Sequence, residues 1–462
     1  MKKKLLVKLG LVLILCFGML LAACSSGNNG NGSATNGNAS ESAGGKEESE
    51  TNEPKENVKI SFMGHGSPQE KDIFTKLIKS YEAKYPNVKV EYTSVPPGEY
   101  NQKLSTLIAS GKTPDVFYVS GPQFYKFAEA GTIQNLQPFL DTTELFREGN
   151  IWKQALDRYR YDGKMLGQGD LYGLPKDVGP WAMAYNKTMF EKAGVELPPA
   201  EVGKWTWDNW LDAAKKLTKD ENGDGKVDIY GGANFTLEGA VWASGGDFID
   251  YKTGTITIDT PEFASAMQWV ADLRLKHKVS PSPEDEKAMN AYSRFVSGKV
   301  GMFPMGPWDQ PGFWDLPFEW DIAAWPTNPT TGKAGTWVGS MGYSVSSKSK
   351  HAQDAFNLAA FLALDAEGQK QNYELGQAVP NLIDMAKGEF VEYDKAPANR
   401  QVFLDIIEDY GHPVIDFGSK DTKWIDTMWQ EVGKVWDGKM TAADWAKEMQ
   451  PKLQELYDKG NK

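Results

Sequence analysis

The sequence predicts an α/β protein of open, mostly parallel sheets flanked by helices, on three observations. Strand-like and helix-like patterns alternate from residue 58 onward in the order strand, helix, strand, helix, strand; strands that alternate with helices form a sheet covered on both faces by its own connections. A similar succession begins again after Gly173-Leu174-Pro175, so a second unit of the same kind is expected. The length beyond residue 57, about 400 residues, suits one large or two ordinary domains.

The first unit reads as follows. Residues 58–63 alternate apolar and polar side chains, a strand pattern that stops at Gly64-His65-Gly66. Ile73, Phe74, Leu77, Ile78, Tyr81 and Tyr85 recur at helical spacing until Pro86 ends them. Residues 88–95 form a second strand, 100–110 a helix closed by Gly111, and 115–119 a third strand; a helix and a loop fill 124–140, and 141–161 is expected to be helical. Ligands of such sheets lie beyond the carboxyl ends of the strands. Here those ends carry His65, Ser120 and Gln123.

In the second unit a strand runs from Trp181 to Lys187, a helix follows to Ala193 and ends at Gly194, and Thr206 or Asp208 caps the next helix. Residues 321–326 read as a short strand leading into a Thr-, Asn-, Pro- and Gly-rich stretch, and 351–364 as an apolar helix.

The start of the chain has a different character. Lys2, Lys3, Lys4 and Lys8 precede an apolar run over 9–21 that is too short to span a bilayer comfortably, and small residues lead to Cys24. That is the layout of a processed export signal over 1–23. The segment LAAC at 21–24 resembles the bacterial lipobox, which implies cleavage before Cys24 and lipid on its sulfur; an uncleaved signal anchor is the alternative. Residues 24–57 are a Ser-, Gly-, Asn- and Glu-rich linker, whose composition buries too little to fold. Lipidation on Cys24 would hold the protein on the outer face of the cell membrane.

Composition excludes several functions. The two cysteines are Cys16, inside the leader, and Cys24, so the folded body has no disulfide and no thiol chemistry. Net charge is −12, and loss of the four leader lysines makes the body more acidic still, which argues against nucleic acid as a partner. None of His65, His277, His351 and His412 lies in a G-x-S-x-G context, and zinc, Walker and Rossmann signatures are absent. A pair of carboxylates set for glycoside hydrolysis is defined by separation in space and stays open.

Four segments carry a resemblance. Residues 185–194 read YNKTMFEKAG, 205–208 WTWD, 222–231 NGDGKVDIYG and 298–308 GKVGMFPMGPW. In this order, behind a lipobox, they resemble the family 1 extracellular solute-binding proteins, the sugar-capture subunits of ABC importers. The resemblance implies a two-lobed periplasmic-binding-protein-like fold with a hinge crossed several times. One lobe would hold 58–180 and 325–375, the other 181–324 and 376–462. It also implies a monomer that takes up a sugar or oligosaccharide and passes it to membrane permease subunits, with no catalysis.

A pyranose offers an apolar C–H face and a rim of hydroxyls, so its binder needs flat aromatic surface beside directed polar groups. The chain has 16 tryptophans. Trp308, beside Gly306 and Pro307 at a strand end, matches a family tryptophan that stacks on sugar, and Asp309 next to it could accept hydroxyl protons. Trp337 and Trp242 sit in glycine-rich surroundings and are candidates for the cleft, with core packing the alternative. Trp181 at the lobe crossing and Trp424, where relatives supply an aromatic platform, are candidates on the same terms. His65, Ser120 and Gln123 from the first unit and Asn234 from the second complete the expected ligand set. Trp205, Trp207, Trp210, Trp269 and Trp445 accompany amphipathic helices and are assigned to packing.

Asp220, Asn222, Asp224, Lys226 through its carbonyl, and Asp228 follow EF-hand spacing around Gly225, but Gly231 stands where a bidentate Glu belongs. A structural calcium site or a plain polar turn are the two readings. No other cofactor is implied. An exported carbohydrate-active enzyme, or the same fold holding a peptide, polyamine or phosphate ester, are the competing functions.

Overall fold

The computed structural model describes residues 56–339 and 341–461; the leader, Cys24 and all but the last two residues of the 24–57 linker lie outside them. Among the described residues no helix is long and apolar enough to cross a membrane.

Two hydrophobic cores organise the body. The first gathers buried side chains from residues 60–174 and 343–364, around a five-stranded sheet. Val58–His65 pairs in parallel with Val88–Val95 on one side and with the central strand Val116–Val119 on the other, while Gly342–Val345 runs antiparallel to Val116–Val119 and to Leu174–Pro175. The flanking helix Pro68–Lys84 buries Ile73, Phe74, Leu77, Ile78 and Tyr81, the side chains whose spacing predicted it. Ser67 caps it and Glu70 closes the capping box, which satisfies amides that otherwise have no helical partner.

The second core draws on 152–338 and 373–457 and covers a four-stranded sheet, in which Ala182–Asn186 lies antiparallel to both Val300–Met305 and Trp320–Ala323. Tyr230–Gly232 adds to Val300–Met305 in parallel. The helix Lys187–Ala193 is capped by Asn186 and stops at Gly194, where φ is 64°. Trp207–Leu217 is capped by Thr206, whose Oγ1 accepts the Asn209 amide while Asn209 Oδ1 accepts that of Thr206. Trp207 stacks on Trp269 at 4.3 Å between ring centroids, and Trp210 and Trp445 are fully buried, as packing residues should be.

Three expectations are corrected. The sheets are mixed rather than mostly parallel, because strands such as Gly342–Val345 enter a sheet after the chain has visited the other core, not through a local right-handed crossover. Trp325, Ala334 and Val338, expected in the first lobe, pack into the second core, and the chain rejoins the first at Met341 and Tyr343. Residues 141–161 hold a 3-10 turn at Glu148–Asn150, the short helix Lys153–Asp157 and the two-residue strand Arg160–Tyr161. Thr142-Thr143 and Gly149-Asn150 compete with or loosen the helix there.

Between the cores lies a three-stranded sheet in which Thr336–Gly339 is parallel to Gly411–Pro413 and antiparallel to Gly179–Pro180. The chain passes from one core to the other through Gly179–Pro180 and Thr336–Gly339, so this small sheet positions the site.

Candidate functional site

A cavity of about 410 Å³ opens beside the crossing sheet and takes walls from both lobes. His65, Glu70, Pro97, Ser120 and Arg158 face it from the first lobe, Trp308, Val414 and Asp416 from the second, and Lys176, Asp177, Trp337, Gly339 and Met341 from the crossing segments.

Its apolar wall is tryptophan. The Trp308 and Trp337 rings are stacked with centroids 6.3 Å apart and planes 23° from parallel, and Trp337 in turn lies 4.6 Å from Trp181. Glycine makes this possible. A Cβ at Gly306 would stand 2.3 Å from Trp308 Cζ2, and one at Gly339 would stand 2.7 Å from Trp337 Cζ3, so each ring lies flat on backbone that carries no side chain.

The polar wall is charged. Lys176 is buried, donates to Asp177 Oδ2 at 2.8 Å and lies 3.9 Å from Glu70 Oε1. Burial works against its charge, but Asp177 and Glu70 outweigh that and hold its pKa above the ordinary value. Glu70 also accepts the Gln377 side-chain amide at 2.9 Å. Burial, and then the nearby Lys176 charge, push the His65 imidazole down, so it is neutral at pH 7 and both donates and accepts hydrogen bonds. Arg158 Nε and Nη1 and Asp416 Oδ1 are buried without a hydrogen-bond partner among the described residues.

Of the residues expected from sequence, His65, Ser120, Trp308 and Trp337 therefore meet in one cavity. The others are placed elsewhere. Trp181 and Asn234 line a neighbouring cavity of about 190 Å³ with Glu238, Arg274 and the exposed Trp429. Asn234 adopts a left-handed conformation with φ 53°. Asp309 accepts the Gly306 amide at 3.0 Å and closes the turn that presents Trp308. It does not line the cavity, so its contribution is to hold the ring. Burial pushes its carboxyl up to about 7.

Trp242 is buried, stacks on His412 with centroids 4.5 Å apart and planes 6° from parallel, and donates to Asp247 at 3.1 Å. Trp424 is fully buried, and its indole N–H is spent on Ser419 Oγ at 3.3 Å. Both belong to the second core. Gln123 is half-buried in the first turn of the helix Gly121–Glu129, outside the cavity lining.

Glu70, Arg158, Lys176, Asp177 and Asp416 were missed. Lys176-Asp177 directly follows the Gly173-Leu174-Pro175 crossing and could have been read as hinge residues facing the cleft. Nothing local marks Arg158 or Asp416, which become neighbours only through the tertiary fold.

The loop read as either a calcium site or a polar turn is closed by its own hydrogen bonds. Asp220 Oδ1 and Oδ2 accept the amides of Gly223 and Gly225 at 2.7 and 2.8 Å, Asp224 accepts that of Lys226, and Asp228 that of Glu221. Among the described residues no group of three or more His, Cys, Asp or Glu is gathered as a metal site. Asn222 Oδ1 accepts the Asp224 amide at 2.8 Å, and Lys226 donates its amide to Asp224 in the same chain of turns.

Two lobes joined by crossing strands, with an aromatic and polar cavity between them, define a solute-binding protein. The profile of the bacterial extracellular solute-binding proteins matches residues 66–369, and the chain belongs to that family. Among curated relatives, the arabinooligosaccharide-binding protein of Bacillus subtilis is 26% identical over 312 residues, 64% of this chain and 67% of the relative. The galactooligosaccharide-binding protein of the same organism is 25% identical over 65% of this chain and 68% of its own length. Among solved structures, an ABC substrate-binding protein from Listeria monocytogenes in complex with cycloalternan superposes with a TM-score of 0.76 at 25% identity, over 87% of this chain and 99% of that one.

Proposed function

We propose that the protein captures a sugar or oligosaccharide between its lobes and delivers it to the permease of an ABC importer, tethered outside the membrane by lipid on Cys24. The observation that carries the sugar reading is the Trp308–Trp337 pair lining one interlobe cavity together with polar and charged side chains. Aromatic faces cover the C–H side of a pyranose, and the polar groups take its hydroxyls.

Binding across both lobes favours the closed arrangement through contacts that exist only there, and closure about the crossing strands follows. The closed monomer is the form a permease would recognise. No covalent step is needed: Glu70 and Asp177 both lie against Lys176, which suits them to fixing the cavity rather than to proton transfer. The tether rests on the LAAC segment at 21–24, and the extracellular class of the family fits work outside the membrane.

The test is a titration of intrinsic tryptophan fluorescence of residues 58–462 with mono- and oligosaccharides, with the mixtures then analysed for products. Saturable binding of one sugar class without turnover is expected. Product formation would move the protein to the carbohydrate-active enzymes, and silence across the panel would remove sugar as the ligand.

A further inference from the structure

We infer that Arg158 and Asp416 form a donor and acceptor pair, one from each lobe, that grips neighbouring hydroxyls of a neutral sugar and so makes closure depend on the ligand. This rests on the sugar reading above and goes further, in naming the residues that link the two lobes through it.

Both residues line the cavity that holds Trp308 and Trp337. Arg158 is flanked by Leu156 and Tyr159 of the first core, whereas Asp416 follows Ile415 of the second. Arg158 Nε and Nη1 and Asp416 Oδ1 are buried without a hydrogen-bond partner among the described residues. Buried polar atoms normally have partners, and such groups at the wall of a cavity point to a ligand that supplies them. Lys176, Asp177 and Glu70, in contrast, already hold one another.

The two groups also complement one chemistry. A guanidinium only donates, a carboxylate only accepts, and a hydroxyl does both, so adjacent hydroxyls satisfy the pair where a single charged group would serve one member and oppose the other. Arg158 lies near enough to oppose the upward push that burial gives the Asp416 carboxyl, yet no ion pair within 4.0 Å joins them among the described residues. The remaining charges of the cavity, Lys176 against Glu70 and Asp177, are already paired with one another.

Asp416 is placed by the approach of the lobes. Its Oδ2 would stand 2.4 Å from a Cβ at Gly121, the first residue of the helix Gly121–Glu129, so the carboxylate sits directly against first-lobe backbone. Opening of the lobes withdraws Asp416 from Gly121 and from Arg158 together. Hydroxyls held by both side chains are therefore held fully only in the closed form.

The experiment is calorimetric titration of the wild type, Arg158→Gln, Asp416→Ala, the double variant and Arg158→Lys with galactotriose, arabinotriose, maltotriose, cycloalternan and trigalacturonate. Ligand-induced compaction is followed by small-angle scattering, and melting temperatures show that each variant is folded. We expect each single loss to weaken the best neutral sugar by about 10- to 100-fold. The double variant should lose less than the product of the two, Arg158→Lys should recover part, and compaction should shrink in step. If Trp308→Ala abolishes binding while Arg158→Gln and Asp416→Ala bind within twofold of wild type, the pair is refuted and the sugar reading stands. Tightest binding of trigalacturonate refutes the acceptor role of Asp416. If no sugar binds the wild type, the sugar reading falls and takes this inference with it.

Discussion

Replacing Trp308 by Ala removes the flat surface on which the sugar reading depends. The ring is half-buried, stacked 6.3 Å from Trp337 and resting on Gly306. A pyranose face covering ~60 Å² of indole, with a similar apolar area of its own removed from water, is worth about 3 kcal/mol at ~25 cal/mol per Å². Loss of that contact corresponds to a Kd raised on the order of 100-fold. The fold should survive, because the ring borders the cavity and the cores stay whole; the cost in stability is roughly 1–2 kcal/mol for a partly buried aromatic. Calorimetric titration with the best sugar of the panel gives the affinity, and circular dichroism confirms folding. Trp308→Phe, which keeps a smaller ring, should fall between. A folded Trp308→Ala protein that binds within twofold of wild type would refute the stacking argument.

Other outcomes follow from the same geometry. Gly306→Ala places a methyl 2.3 Å from Trp308 Cζ2 and must displace the ring; the titration should show weakened binding although every tryptophan is retained. Trp424→Ala opens a cavity in the second core and should cost about 3–5 kcal/mol by denaturant unfolding, while the molecules that remain folded bind sugar normally. Glu238, pushed up by burial from 4.5 to about 7, binds a proton in the folded state that the unfolded chain has already released. Its contribution therefore turns unfavourable as pH rises from about 4.5 to about 7, by about 1 kcal/mol since the side chain still partly meets water. Glu238→Gln should flatten that part of a melting-temperature profile against pH.

How far the sequence reached differs between fold and site for physical reasons. Helices with strong caps and apolar stripes, such as Pro68–Lys84 and Trp207–Leu217, were legible because their determinants lie within a few residues. Strand direction was not, since whether Gly342–Val345 runs with or against Val116–Val119 depends on where a distant segment returns. In the site, Trp308 and Trp337 were legible because glycines at 306 and 339 announce a ring lying on bare backbone. Trp242 carried a similar glycine cue and Trp424 was a candidate through the resemblance, yet both serve the core: Trp242 stacks on the distant His412, and Trp424 is fully buried with its indole N–H on Ser419. Arg158 and Asp416 come together from segments more than two hundred residues apart, so their role belongs to the tertiary structure alone.

The most direct test of the central claim is a crystal structure of residues 58–462 soaked or grown with the tightest oligosaccharide of the panel. The account predicts a sugar ring lying on the Trp308 indole between closed lobes, with hydroxyls within hydrogen-bond distance of Arg158 and Asp416. A sugar bound away from this cavity, with the Trp308 face bare, would contradict it.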